Sequence, residues 1–153
     1  MAAVEFLARD FTFSINTGTT LSPTWTAIGG LNTWGWKEDA TDKEATDFND
    51  NGWGSSLITA RRATCSLKGS ALLDTVAGTK DAGQAAVEAS ARLMGSAGVK
   101  EYKIEANGVD DSAITFSASA KLAETGDKHD DLLPWGAELM INGEPEFTGI
   151  FGG

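Results

Sequence analysis

The chain has 153 residues, with 22 acidic and 12 basic side chains, one histidine, one cysteine and a net charge of −10. That length suits a single domain (1–153) that can bury a core without cross-links, and the lone Cys65 excludes an intrachain disulfide framework or a thiolate metal cluster. The excess acid would repel a phosphate backbone, which argues against conventional nucleic-acid binding. No apolar run approaches the ~20 residues of a membrane helix, and the start MAAVEFLARDF lacks the cationic-then-apolar order of a secretory signal.

Residues 1–10 are short and mixed and read as an N-terminal arm. From there, period-two alternation dominates. In FTFSIN, Phe11, Phe13 and Ile15 share one side and Thr12, Ser14 and Asn16 the other, as in a half-buried strand. TWTAI and LNTWGWK alternate on either side of Gly29-Gly30, which predicts a hairpin with large apolar area from Trp25, Trp34 and Trp36. Acid then crowds between Glu38 and Asp50, in a segment with loop composition.

The stretch DFNDNGWGSSLI, 47–58, begins like a calcium-binding EF-hand loop, with oxygen ligands alternating at Asp47, Asn49 and Asn51 before Gly52. Its second half does not fit. The twelfth position, which needs a bidentate carboxylate, is Ile58, and no acid lies between Asn51 and Asp74. A turn-rich loop, with Asp and Asn bonding their own backbone, explains the composition better.

After it, RATCSLKGSALL places Ala63, Cys65 and Leu67 on one face, making Cys65 a small core hydrophobe. Asp81 to Met94 breaks the alternation: Asp81 suits an N-cap, Gln84 completes a capping box and Gly95 sits where a C-cap belongs. The helical stripe of Ala82, Ala86, Ala89 and Leu93, with Val87 and Met94 beside it, is mostly alanine and suits close approach to a sheet. Three more alternating runs follow: Tyr102, Ile104 and Ala106; Ile114, Phe116, Ala118, Ala120 and Leu122; and Trp135, Ala137, Leu139 and Ile141. A second acid-rich stretch, Glu124 to Glu146, reads largely as loop. The tail 143–153, with Pro145, Phe147, Ile150 and Phe151 among glycines, reads as a C-terminal arm whose apolar residues want a partner surface. About seven strands and one helix define a mainly β chain, an antiparallel β-sandwich or barrel with a flanking helix.

Catalytic signatures are absent. His129, in GDKHDD, reads as a solvated loop residue, and Cys65 on the core face is not a nucleophile. The carboxylates are too many for any pair to stand out, and the glycines of GTKDAGQAAVE match neither a Walker loop nor a dinucleotide fingerprint. The tryptophans could form a sugar platform, but in a sandwich they more often serve core and interface. No cofactor or metal is expected.

The order of three elements resembles a family. The D-F-x-x-x-G-W element at Asp47–Trp53, the R-x-x-T-x-x-L-x-G run at Arg61–Gly69 and the D-x-G-Q-x-A-V-E helix start, preceded by PTWTAIGGLNTWGWK, look like the major tail tube protein of long-tailed (siphovirus-type) bacteriophages. The resemblance spans about Phe11 to Asn142. It implies a virion structural protein of the phage tail, made in the host bacterial cytoplasm. Such subunits form hexameric rings that stack into a tube delivering the genome, a fold shared with contractile-tail and type VI secretion tubes. Expected partners are further copies of itself, the tape-measure protein, the tail tip or baseplate and the tail terminator, with DNA passing through an acidic bore without specific binding. By the same resemblance, 37–62 is a long loop reaching neighbouring subunits, and Asp47, Asn51, Trp53, Arg61 and Arg62 are contact candidates, joined by Phe147 and Phe151 on the tail. A tube protein of a contractile injection system and a carbohydrate- or calcium-binding β-sandwich are the alternatives.

Overall fold

A computed structural model describes residues 10–44, 52–109, 111–124 and 133–152. Its strands are β1 Phe11–Asn16, β2 Trp25–Ala27, β3 Leu31–Glu44, β4 Ser56–Ser70, β5 Leu73–Asp74, β6 Thr79–Lys80, β7 Val99–Ala106, β8 Ala113–Leu122 and β9 Pro134–Phe147, with one helix, α1, Ala82–Ala91. Seven strands form one antiparallel sheet in the order β2-β1-β7-β8-β9-β4-β3, and β5 with β6 makes a separate small hairpin.

The sheet rolls until its distant strands meet. Phe11 and Phe13 of β1 reach Trp34 of β3 with ring centroids 5.1 and 5.3 Å apart, although β7, β8, β9 and β4 separate the two strands in the sheet. Inside the roll, Tyr102 stacks on Phe116 at 5.7 Å and Trp36 meets Phe116 edge-on at 5.4 Å. The alternation seen in the sequence sets this interior: Ile15, Cys65, Leu67, Ile104, Ala118 and Leu139 are almost wholly buried. Each large aliphatic side chain so buried contributes about 1.5–3 kcal/mol.

The expected hairpin at Gly29-Gly30 does not form. β2 pairs with β1 and β3 pairs with β4, so the two runs lie at opposite edges of the sheet. The glycines carry the chain across the open end of the roll instead. The Gly29 N–H donates to Asp81 Oδ2 (3.0 Å), the Gly29 carbonyl accepts from Gln84 Nε2 (2.8 Å), and the Gly30 carbonyl accepts from the Ser70 N–H (2.9 Å). Gly30 has φ +75°, and a Cβ there would lie 2.3 Å from the Ser70 carbonyl oxygen, so only glycine fits.

The helix is shorter than expected, ending at Ala91 rather than Met94, and Gly95 opens a 3-10 turn. Asp81 is the N-cap, accepting from the Gln84 N–H at 3.1 Å. The reciprocal half of the capping box is missing because the Gln84 side chain turns into the protein and bonds Leu72, Gly29 and Ser70. The buried face is Gly83, Gln84, Val87 and Ser90 rather than the alanine stripe, and Leu93 and Met94 are exposed. Backbone hydrogen bonding by Gln84 and the close approach of Gly83 to the end of β2 turn the helix to this face. The β5–β6 hairpin, not anticipated, is organised by Asp74, whose Oδ1 accepts from Val76 and Ala77 N–H groups at 3.0 Å.

Candidate assembly surfaces

β4 is 15 residues long, and β9 accompanies it only from Ser70 to Thr64. From Ala63 to Ser56 it pairs with β3 alone, so the two strands leave the sheet as a ribbon. This corrects the reading of 37–62 as a loop: Lys37–Glu44 and Ser56–Arg62 are strand, and 38–44 of the acid-rich stretch lies in it. The residues alternate but nearly all are polar or exposed, so the periodicity carries no apolar signature of a strand. The second acid-rich stretch is corrected likewise, since β9 runs through Glu138, Glu144 and Glu146.

A two-stranded ribbon is marginal on its own. This one carries Leu57 and Ile58 at 64% and 56% exposure, and Trp53 just before it is 79% exposed. Trp53 therefore does not cover the core of its own domain. Arg61 and Arg62 are exposed, and among the described residues neither makes an ion pair. Asp47 and Asn51 lie outside the described residues, as do Asn49 and His129. Ile58, the residue at the twelfth position of the calcium-like loop, sits in β4 opposite Asp42, so a strand stands where an EF-hand needs its second helix.

Where the ribbon departs, it bounds a groove of about 550 Å³ lined by Glu38, Ile58, Arg61, Arg62, Pro145 and Phe147. Its far wall is a bulge in β9: Asn142 pairs with Ser117 and Glu146 with Thr115, leaving Gly143 (φ +82°), Glu144 and Pro145 opposite Phe116. Phe147 meets Trp36 edge-on at 6.1 Å and is 37% exposed. Phe151 packs on Phe11 at 6.0 Å.

The C-terminal residues as far as 152 are thus not an arm. Phe147 pairs with Ile114, the Thr148 N–H donates to the Ala113 carbonyl (2.9 Å) and the Ile150 N–H to Ser112 Oγ (3.0 Å). Backbone pairing to β8 and the aromatic contact with Phe11 hold this segment on its own subunit, a link between distant parts of the chain that local composition does not show.

No thiol chemistry is available at these surfaces. Burial pushes the Cys65 thiol from 9.0 up to about 12. Folded protein is accordingly expected to resist maleimide at pH 8 and to react once unfolded. The unfolded thiol ionises from about pH 9 and the folded one does not until about pH 12, so this group's stabilisation is complete below pH 9 and is lost as pH rises through that interval. A urea midpoint that holds steady across pH 8 to 11 in protein with its other titrations matched by Cys65→Ala would contradict this.

No protein-family model matches the chain, and no curated protein matches it. Solved structures do. The tail of the empty gene transfer agent (GTA) particle, computed with C6 symmetry, superposes with TM-score 0.71 at 17% identity over 95% of this chain and 100% of that one. The SPP1 tail tube gives 0.70 at 13% identity, covering 95% and 81%. The anti-feeding prophage baseplate gives 0.63 at 11% identity, covering 97% and 99%. At these identities the shared property is the fold, and the chain has the fold of phage-type tail tube proteins.

Proposed function

We propose that this chain is the subunit of a phage tail tube, a virion structural protein that forms stacked hexameric rings through which a genome passes to the host. The observation that carries the reading is the fold match to the GTA tail, which uses nearly the whole of this chain and all of the other. The physics of the subunit supports it. β3 is the last strand of the sheet, with 14 residues and no strand on its outer side among those described. Such an edge invites a second copy, and closing a ring removes it. The ribbon and the exposed Trp53, Leu57 and Ile58 need cover that one subunit lacks, which fits contacts to the next ring. Arg61 and Arg62 suit bidentate pairing with acids on a neighbour, and Asp47, Asn51, Phe147 and Phe151 complete the contact set.

The partners follow from this role: other copies of the chain, a tape-measure protein, a tail tip and a terminator, with DNA in transit and no reaction catalysed. The test is negative-stain electron microscopy of purified protein at rising concentration, with and without a tail-tip initiator. Hollow tubes are expected. A protein that stays monomeric under both conditions would sink the proposal.

Trp53→Ala separates contact from core. The monomer's unfolding free energy should change by less than about 0.5 kcal/mol, as for exposed sites generally, while tube yield falls several-fold. Loss of the monomer fold would place Trp53 in the core instead.

A further inference from the structure

Period two along β3 puts Trp34, Trp36 and Glu38 on its inward face. Opposite them stand Ile114 at the start of β8, Phe147 at the end of β9, and Phe151, and these six residues line a recess of about 420 Å³. The Trp36 indole N–H donates to Glu38 Oε1 at 3.1 Å, which holds the carboxylate at the recess wall and leaves its remaining lone pairs for another donor. Phe147 stands edge-on to Trp36 at 6.1 Å. Aromatic walls with one carboxylate select among occupants. A purely apolar group would leave the carboxylate without a counter-charge, and an anion would be repelled. A cation on an apolar stem satisfies both, and a guanidinium does so better than an ammonium, because its plane can lie on a ring while its N–H fork pairs with the acid.

The chain already completes this chemistry once. Lys103 Nζ lies 4.9 Å from the centre of the Trp25 ring and 2.8 Å from Glu105 Oε1, so a tryptophan and a glutamate share one cation. At β3 the tryptophan and the glutamate stand together, and among the described residues no ion pair supplies Glu38 with a cation. Lys37 lies on the other face of the strand, where it has Asp39 at 3.8 Å. Arg61, in register with Ala40, borders the neighbouring groove with Glu38 but makes no ion pair with it.

We propose that this recess receives an arginine side chain of a second copy of the chain. The proposal rests on the tail-tube reading, which sets another copy against the free edge of β3. The charge balance supports the choice of occupant. The chain has only four arginines, Arg9, Arg61, Arg62 and Arg92, among 22 acids. Arg61, Arg62 and Arg92 are exposed, and among the described residues none of them makes an ion pair. Arginines left unpaired amid so much acid are available for contacts between copies, and the recess at β3 offers one of them both a ring to lie on and a counter-charge.

Two measurements test it. In the free subunit, n-butylguanidinium should shift the Trp36 indole N–H resonance saturably. The neutral n-butylurea, of the same shape, should bind about tenfold more weakly, and Glu38→Gln should weaken the guanidinium by about the same factor. No shift, or equal affinity for the two probes, overturns the chemistry of the recess. In assembly, Glu38→Arg should lower tube yield several-fold while the subunit's urea midpoint stays unchanged. A further change to glutamate at Arg9, Arg61, Arg62 or Arg92 restores the same net charge in each case, so only the arginine that docks should recover the yield. Recovery by none of the four overturns the proposal. Energetic coupling between Glu38 and Arg61 in the unfolding of dilute monomer overturns it too, because the chain would then fill the recess from its own ribbon. Wild-type protein that forms no tubes brings down the tail-tube reading and the second copy with it, whereas the probe titration still judges the recess.

Discussion

Gln84→Leu is expected to lower the subunit's unfolding free energy by about 3 kcal/mol, measured by urea denaturation of monomer with an unchanged m-value. Gln84 is 1% exposed, and its amide makes three bonds to backbone: Oε1 accepts from the Leu72 N–H (3.1 Å), and Nε2 donates to the carbonyls of Gly29 (2.8 Å) and Ser70 (2.9 Å). Leucine conserves much of the volume, so the loss comes from backbone groups left without that partner in a buried place, at about 1 kcal/mol or more each. A loss under about 1 kcal/mol would mean that water replaces the amide. Gln84→Glu sharpens the test. The carboxylate can still accept from Leu72 but cannot donate, and it faces two carbonyls. Glutamate should therefore destabilise strongly at neutral pH and recover in part as acid protonates it.

Gly83→Ala sets two effects against each other, and the larger should win by about 2–3 kcal/mol. Propensity alone would stabilise the helix by nearly 1 kcal/mol. A Cβ at Gly83, however, would lie 2.2 Å from the Ala27 carbonyl oxygen and 2.6 Å from Ile28 Cα, and both obstacles are backbone. The helix would have to withdraw from β2, straining the Asp81 bond to Gly29 and the three bonds of Gln84. The predicted result is a lower thermal midpoint, and a higher one would show that the helix is not seated against β2.

The seat of this helix also bears on the proposed assembly. Asp81 and Gln84 hold Gly29 where the chain crosses from β2 to β3, and that crossing sends β3 to the edge of the sheet rather than back along β2. Only from that edge can β3 and β4 project together as the ribbon. Destabilising the helix seat should thus reduce tube formation through the ribbon's base even though neither Gln84 nor Gly83 is among the proposed subunit contacts.

The sequence by itself determined what depends on neighbours a few residues apart. Period two marked β1, the inner half of β4, β7, β8 and the start of β9, because alternate side chains of a strand must choose between core and solvent. The Asp81 cap was legible because its partner is the third residue on. The inertness of Cys65 followed from its place in an alternating run, and Trp53 and the two arginines were marked as contact candidates by residue type and family likeness. Only the tertiary structure decided which strands pair. Gly29-Gly30 makes a crossing rather than a hairpin because residues 52 and 55 positions away bind its backbone. The ribbon was hidden because strands free on both faces need no apolar alternation, and the docking of Phe151 was hidden because its partner, Phe11, lies at the other end of the chain. The rows that set Lys68 beside Thr33 and Gly136, and Glu138 between Ser66 and Lys121, exist only in the register of four strands drawn from distant parts of the sequence, which no reading along the chain can recover.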